Sequence, residues 1–483
     1  MRSVSRYKTR YREIRRFTAQ HGETIMSEAF EVDGDRGLFV VGGKVKSLIS
    51  EHDRYIMTDY FASLLQVHNL VILIGSGASF HLDSPQTRNL KNEAVVALIE
   101  AAGQTVEGPD RELLSFLNPN DNGDLEKLLN GLQLAASLAE QAALAKVTFG
   151  EGSSAKSFTR DQIDRLKGKI NVAFAKACEL PRKDSSLSDP LAAHRQFFSR
   201  IVRSRRSNLP RTKVFTTNYD LVIERALDQL GYPYIDGFSG TVDRRLNLAY
   251  YGLDFHRVET ASQQVVARAD SALYLHKIHG SLNWKAIVDG SAGVTTLEVI
   301  QVAEGSASID EPVLIYPTTA KEGDSLSYPY SDLMRLLSDA VQQNDTAVIT
   351  IGYGYSDPHI NRILLRSLAI NPALNILAID PFAVLGSGRE LGIAMLDDEL
   401  VGQTLAHRDH EVLDTPIGAL AAADDSRIAV LTGSAGKFEK MVDLLPESGL
   451  DMNINPPAAV MTLIESLERF TAAETSRGEK HNE

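Results

Sequence analysis

Leu70-Val71-Ile72-Leu73-Ile74 is an unbroken apolar run closed by Gly75. A strand that alternates apolar and polar residues can leave one face to water. A strand that does not alternate must be covered on both faces, as in a parallel sheet flanked by helices. Three further runs have the same character: Val214-Phe215-Thr216-Thr217, Ala347-Val348-Ile349-Thr350-Ile351 and Asn375-Ile376-Leu377-Ala378-Ile379. Polar residues or glycine follow each of them. In an open α/β sheet those strand ends form the edge at which ligands bind.

The segments between the runs are read by their periods. Leu125, Leu128, Leu129, Leu132 and Leu138 repeat mostly at helical spacing, and Ile163, Leu166, Ile170, Val172 and Phe174 form a second stripe. Ala192, Phe197, Phe198 and Ile201 form a third, with loops predicted at 150–154 and 181–188. The fold class predicted is α/β: a doubly wound, Rossmann-like parallel sheet with a helical insertion and a C-terminal α/β addition. The expected core domain is 68–385, with the insertion at 110–205 and an N-terminal extension at 27–67. The addition spans 386–475, with a strand at 427–431 and a helix at 437–445, before a disordered tail at 476–483. Residues 1–26 carry seven Lys or Arg against one acid before residue 20 and read as a basic arm, or as a mis-assigned start ahead of Met26.

Composition narrows the classes. Lys plus Arg total 50 against 63 Asp plus Glu, a net charge of −13, which disfavours direct binding of nucleic acid by the whole surface except through a partner. No apolar run approaches the roughly 18 residues of a membrane span, so no membrane association is expected. Cys178 is the only cysteine, which excludes an intrachain disulfide and any zinc site built on several thiolates. A reducing, cytoplasmic setting is the expectation.

The polar strand ends carry four motifs. Gly75-Ser76-Gly77-Ala78-Ser79 is a glycine turn suited to close approach of backbone N–H groups to a pyrophosphate, although Phe80 holds the position of a third glycine. Thr216-Thr217-Asn218-Tyr219-Asp220 follows the second strand. His279-Gly280-Ser281 follows Tyr274-Leu275-His276-Lys277-Ile278, and Gly352-Tyr353-Gly354-Tyr355-Ser356-Asp357 follows the third apolar run. In this order the set resembles the sirtuin family, specifically its bacterial sirtuin-like branch, over about residues 68–385. The sirtuin pattern Gly-Ala-Gly-x-Ser is met with Ser76 in place of Ala. Thr-Gln-Asn-x-Asp is met with Thr217 in place of Gln, and His-Gly is met at His279-Gly280. Two departures stand out. Thr87 replaces the aromatic of the family's Gly-Ile-Pro-x-Phe-Arg segment, and the four-cysteine zinc ribbon that helps form the acyl-peptide groove is missing.

The resemblance implies an NAD+ glycohydrolase of bacterial anti-phage defence, using NAD as substrate without zinc. It also implies a homo-oligomer that assembles with a HerA-type hexameric ATPase. Asn218 is the candidate to hold a water or ribose hydroxyl. Asp220 would accept from the nicotinamide carboxamide, and His279 would take a proton. Cofactor contacts are expected from Gly75, Ser76, Gly77, Ala78, Ser79, Arg88, Thr217, Gly280, Gly352, Ser356, Asp357 and Asp380. Simpler roles stand beside these. Asn218 and Asp220 also suit helix capping, His279 suits a hydrogen-bonded core position, and Ser356-Asp357-Pro358 is a good helix start. An NAD-dependent protein deacylase, a sensor of NAD or ADP-ribose without turnover, and a nuclease-associated subunit are the competing functions.

Overall fold

The computed structural model describes residues 37–41, 44–48, 51–85, 91–121, 125–181, 187–258, 266–269, 271–289, 296–302, 312–314, 328–381 and 425–447. Arg88, the basic arm at 1–26, the tail at 476–483 and most of the stretch 386–475 lie outside the described residues.

The centre is a mixed sheet of nine strands: β1 Gly37–Val41, β2 Lys44–Leu48, β3 Asn69–Ile74, β4 Lys213–Thr216, β5 Tyr234–Ile235, β6 Leu273–Lys277, β7 Thr346–Ile351, β8 Asn375–Ile379 and β9 Ile428–Gly433. Their order is β2-β1-β9-β8-β7-β3-β4-β6-β5. Every pair from β9 to β5 is parallel, and the β1–β2 hairpin is added antiparallel on β9. The four apolar runs are β3, β4, β7 and β8. Their residues divide between two cores, one on each face. Leu70, Ile72 and Ile74 face one core, Val71 and Leu73 the other. This is the doubly wound architecture that uninterrupted apolar strands require.

The chain leaves β3 towards β4 and β6, then returns on the other side to β7 and β8. The switch between β3 and β7 is where a crevice opens at the carboxyl ends of such strands. β7, β3, β4 and β6 are consecutive neighbours, so the four motifs fall side by side along one edge.

Helix α1 Glu51–Leu64 precedes β3. A helical unit follows, made of α2 Asn92–Ala101, α3 Gly108–Leu117, α4 Leu125–Gln141 and α5 Arg160–Ala177. It has a core of its own, running from Val95 to Cys178. Thr159 opens α5 with a capping box, exchanging bonds with Gln162. The predicted loop at 150–154 is the connection of a hairpin, Lys146–Phe149 with Lys156–Thr159.

The third stripe behaves differently from the other two. It forms α6 Ala192–Ser204, and Phe197, Phe198 and Ile201 pack on the sheet with Ile72 and Val214. The structure therefore places α6 with the sheet rather than with the insertion, and α2 with the insertion although it precedes residue 110. Helices α7 Val222–Leu230, α8 Tyr330–Val341 and α9 Pro358–Ile370 complete the layers. A smaller antiparallel sheet pairs 312–314, 280–289, 296–301, 244–246 and 238–239 in that order. The strand predicted at 427–431 is β9, and it lies inside the main sheet between β8 and β1. The helix predicted at 437–445 is one α-turn, Phe438–Met441, followed by a 3-10 turn.

Candidate active site

The strand ends are stitched to one another by backbone bonds that continue the ladder past the sheet. Gly75 N donates to Ile351 O at 2.9 Å, Thr217 N to Ile74 O at 3.1 Å and Ile278 N to Thr216 O at 3.0 Å. Thr216 Oγ1 adds a bond to Ile74 O at 2.9 Å and accepts from Asn218 N at 3.0 Å.

The glycine turn is not the mouth of an α-helix. Ser76–Leu82 is a 3-10 segment of seven residues. Its glycines serve a second contact. A Cβ on Gly77 would lie 2.7 Å from Gly352 Cα and 2.9 Å from Gly352 O, and a Cβ on Gly75 would lie 2.6 Å from Gly352 O. Gly352 itself has φ +58°. The turns after β3 and β7 therefore touch backbone to backbone, which only glycine permits. Ser76 is exposed, Gly77 is half-buried, and Gly75, Ala78 and Ser79 are buried.

Ser79 points to the neighbouring strand end. Asn218 Nδ2 approaches its Oγ at 3.5 Å, and its hydroxyl also hydrogen-bonds the Asp220 carboxylate. Asn218 caps nothing. Its Oδ1 is buried and has no hydrogen-bond partner among the described residues, an acceptor of the kind that normally finds a partner. Asp220 does cap: Oδ1 accepts from Val222 N at 3.0 Å, at the start of α7. The helix begins at Val222. Burial raises the Asp220 carboxyl above its ordinary range, against the opposing charge of Lys277.

Lys277, which the motif reading left unassigned, organises this corner. Its ammonium donates to the carbonyls of Tyr219 and Asp220 and pairs with Glu224 Oε1 at 2.9 Å. Lys277 and Glu224 keep only 4% and 11% of their side-chain surface exposed. Burial pushes the Glu224 carboxyl up as well, and Lys277 again opposes it. One cation thus serves two buried carboxylates and fixes the backbone between Asn218 and Asp220. A lysine directly before the Ile278-His279 turn, with Glu224 four residues after Asp220, was the available signal.

His279 is buried at the end of β6, with Gly280 after it at φ +88°. Its Nε2 lies 3.2 Å from Asp357 Oδ2. Asp357 is the N-cap of α9, where Oδ1 accepts from His359 N at 2.9 Å and Ile360 N at 3.3 Å. The helix-start role is realised, and the carboxylate reaches a catalytic candidate as well. Ser356 is exposed. The loop before it is built by two buried tyrosines. Tyr355 (φ +51°) shares a hydrogen bond with Thr350 Oγ1 at 3.0 Å, and Tyr353 donates to Asn361 Oδ1 at 3.0 Å.

Thr217 is half-buried beside Asn218, and Asp380 ends β8, two strands from β3. His276 stays apart from this chemistry. It is stacked between Phe215 at 4.2 Å and Tyr251 at 4.1 Å, and burial depresses its pKa to about 3. Trp284 packs edge-on against Phe238 at 5.2 Å. Cys178 is buried in the helical unit. Among the described residues no helix is long and apolar enough to cross a membrane.

Residues 212–394 match the family model of a SIR2-like domain. No curated protein matches the chain. The matched stretch holds Asn218, Asp220, Lys277, His279 and Asp357, whereas the glycine turn precedes it. A SIR2-like domain fits NAD-dependent activity in general, with NAD as substrate or cofactor. The residues present suit such a ligand, because the unmet Asn218 acceptor is available to a ribose hydroxyl or a water.

Proposed function

We propose that the protein hydrolyses NAD to nicotinamide and ADP-ribose. The observation that carries this is the buried Asn218 amide, facing Ser79 of the glycine turn while its own oxygen is unmet. The reaction breaks the bond between ribose C1′ and the pyridinium nitrogen. The bonding pair goes to the ring, nicotinamide leaves neutral, water oxygen bonds to C1′, and one proton is released. Charge placement around a cationic ribose is the main demand, as in glycoside hydrolysis. Asn218 holds the water or a ribose hydroxyl without adding charge. Asp220 meets the nicotinamide carboxamide. His279 takes the proton and passes it to solvent.

The proposal extends to a cytoplasmic role in anti-phage defence, with a homo-oligomer that works beside a HerA-type hexameric ATPase. This extension rests on the sirtuin-like resemblance together with the single cysteine. Release of nicotinamide from NAD by the purified protein, alone or with such an ATPase and without any acylated peptide, is the test. Strict dependence on an acyl-lysine peptide would establish the deacylase instead, and NAD binding without product would establish a sensor. Asn218→Ala and His279→Ala should each lower turnover on the order of a hundredfold or more with the fold retained.

A further inference from the structure

We infer that Asp357 is the positioning residue for His279: it orients the imidazole and compensates the charge formed when that ring accepts a proton. The inference rests on the NAD-hydrolase reading and replaces the cofactor contact expected of Asp357. The geometry divides the work of the carboxylate between its two oxygens. Oδ1 is committed to the first turn of α9 by two backbone N–H groups, and Pro358 at the next position fixes the entry of the helix. With one oxygen fixed, the other is aimed, and Oδ2 stands 3.2 Å from His279 Nε2. The side chains of His279 and Asp357 are 7% and 5% exposed, so solvent does little to screen the pair.

The thirteen-residue helix behind Asp357 supports a negative charge at its start. Lys277 serves Glu224 and the carbonyls of Tyr219 and Asp220, and the Asp220 carboxylate serves Val222 N and Ser79. At 3.2 Å, Nε2 and Oδ2 are within ion-pair distance without being joined by a hydrogen bond. Catalytic contacts often align only once substrate is bound. A base oriented by a third group is the general arrangement for proton transfer at neutral pH, the carboxylate stabilising the imidazolium without taking its proton.

Asp357→Asn separates the two tasks, because asparagine caps a helix as well as aspartate does but carries no charge. In the full-length protein we expect kcat for NAD to fall on the order of a hundredfold, KM to stay within about threefold, and the melting temperature to hold. Asp357→Ser, which also keeps a capping oxygen, should behave alike and guards against a folding defect of the first variant. In a His279→Ala background, Asp357→Asn should cost nothing further. The ring-nitrogen NMR signals of His279 in the intact protein should also move when Asp357 becomes Asn. A raised KM with kcat preserved would restore the cofactor contact and overturn the inference, as would additive losses in the double variant. If the wild-type protein releases no nicotinamide, the hydrolase reading fails. The NMR comparison then still decides the pair, and unmoved His279 signals overturn it.

Discussion

Replacing Lys277 with methionine tests whether the Asn218–Asp220 segment is held by a buried charge network. Methionine matches the length of the lysine stem but removes the ammonium. Glu224 would then be left without its cation, with Oε1 joining an Oε2 that already has no hydrogen-bond partner among the described residues. The carbonyls of Tyr219 and Asp220 would each lose a donor. Breaking one side of a buried pair costs about 3–5 kcal/mol, because the remaining charge is uncompensated. The deficit should narrow as pH falls, since protonating Glu224 removes that charge. Lys277→Met/Glu224→Leu replaces the pair by apolar groups, an exchange that is commonly neutral or stabilising, so most of the lost stability should return. Turnover should not return, because the two carbonyls still lack their donor. Urea unfolding followed through Trp284, the single tryptophan and a buried one, reads the first quantity, and nicotinamide release reads the second. A Lys277→Met loss below about 1 kcal/mol would refute the energetic argument. Wild-type turnover in the double variant would refute the positioning argument.

Three more outcomes follow from the same geometry. Gly77→Val should lower the melting temperature and NAD affinity together, because its side chain meets the Gly352 backbone rather than open space; calorimetry showing affinity lost at an unchanged melting temperature would contradict this. His194 and His276 are held neutral by burial, each at a pKa of about 3, with His81 adding to the depression at His194. The unfolded chain protonates these rings below about pH 6.5, so stability is full above that value and declines as pH falls towards 3, by about 2 kcal/mol per ring at pH 5. His194→Phe should remove one such share from the difference between urea unfolding at pH 7 and pH 5, and an unchanged difference would count against it. Phe174→Ala, in the helical unit, should reduce turnover without touching substrate, since its ring packs at 5.9 Å on Tyr219 between Asn218 and Asp220; hydrogen exchange at 216–222 should rise in parallel, and unaltered turnover in the folded variant would sever that link.

The parallel strands were legible because burial on both faces leaves no choice of residue. The runs beginning at Leu70, Val214, Ala347 and Asn375 fall within a residue or two of β3, β4, β7 and β8. The β1–β2 hairpin was not legible. Leu38, Phe39 and Val40 pair with Thr432, Leu431 and Val430, a contact between residues almost four hundred positions apart in the chain. No local period announces such a partner. The stripe of α6 is helical as its spacing predicts, but periodicity says only that one face is apolar, not which core receives it. Phe197 and Phe198 enter the sheet core, whereas Leu128 and Leu132 close on the helical unit.

The site divides along the same line. Asn218, Asp220 and His279 could be named because their side chains follow strands at a sheet edge, where polar residues are conspicuous against apolar runs. Lys277 and Glu224 were far less conspicuous, for the opposite reason. A lysine at the end of a strand and a glutamate in a helix are unremarkable until the fold removes both from water and sets them against each other. Tyr219 shows how far this reaches. Its carbonyl accepts from Lys277 Nζ and from Leu282 N at 3.0 Å, and its ring rests on Phe174 of α5. Leu282 and Tyr219 are both packed against the core of the helical unit. The residue between the two candidate catalytic side chains is therefore shared by the sheet edge and the helical unit. A displacement of α5 large enough to unseat Tyr219 would have to move Asn218 and Asp220 with it. The insertion is in this sense part of the candidate active-site edge, since packed side chains shift between discrete arrangements rather than absorbing such a displacement gradually.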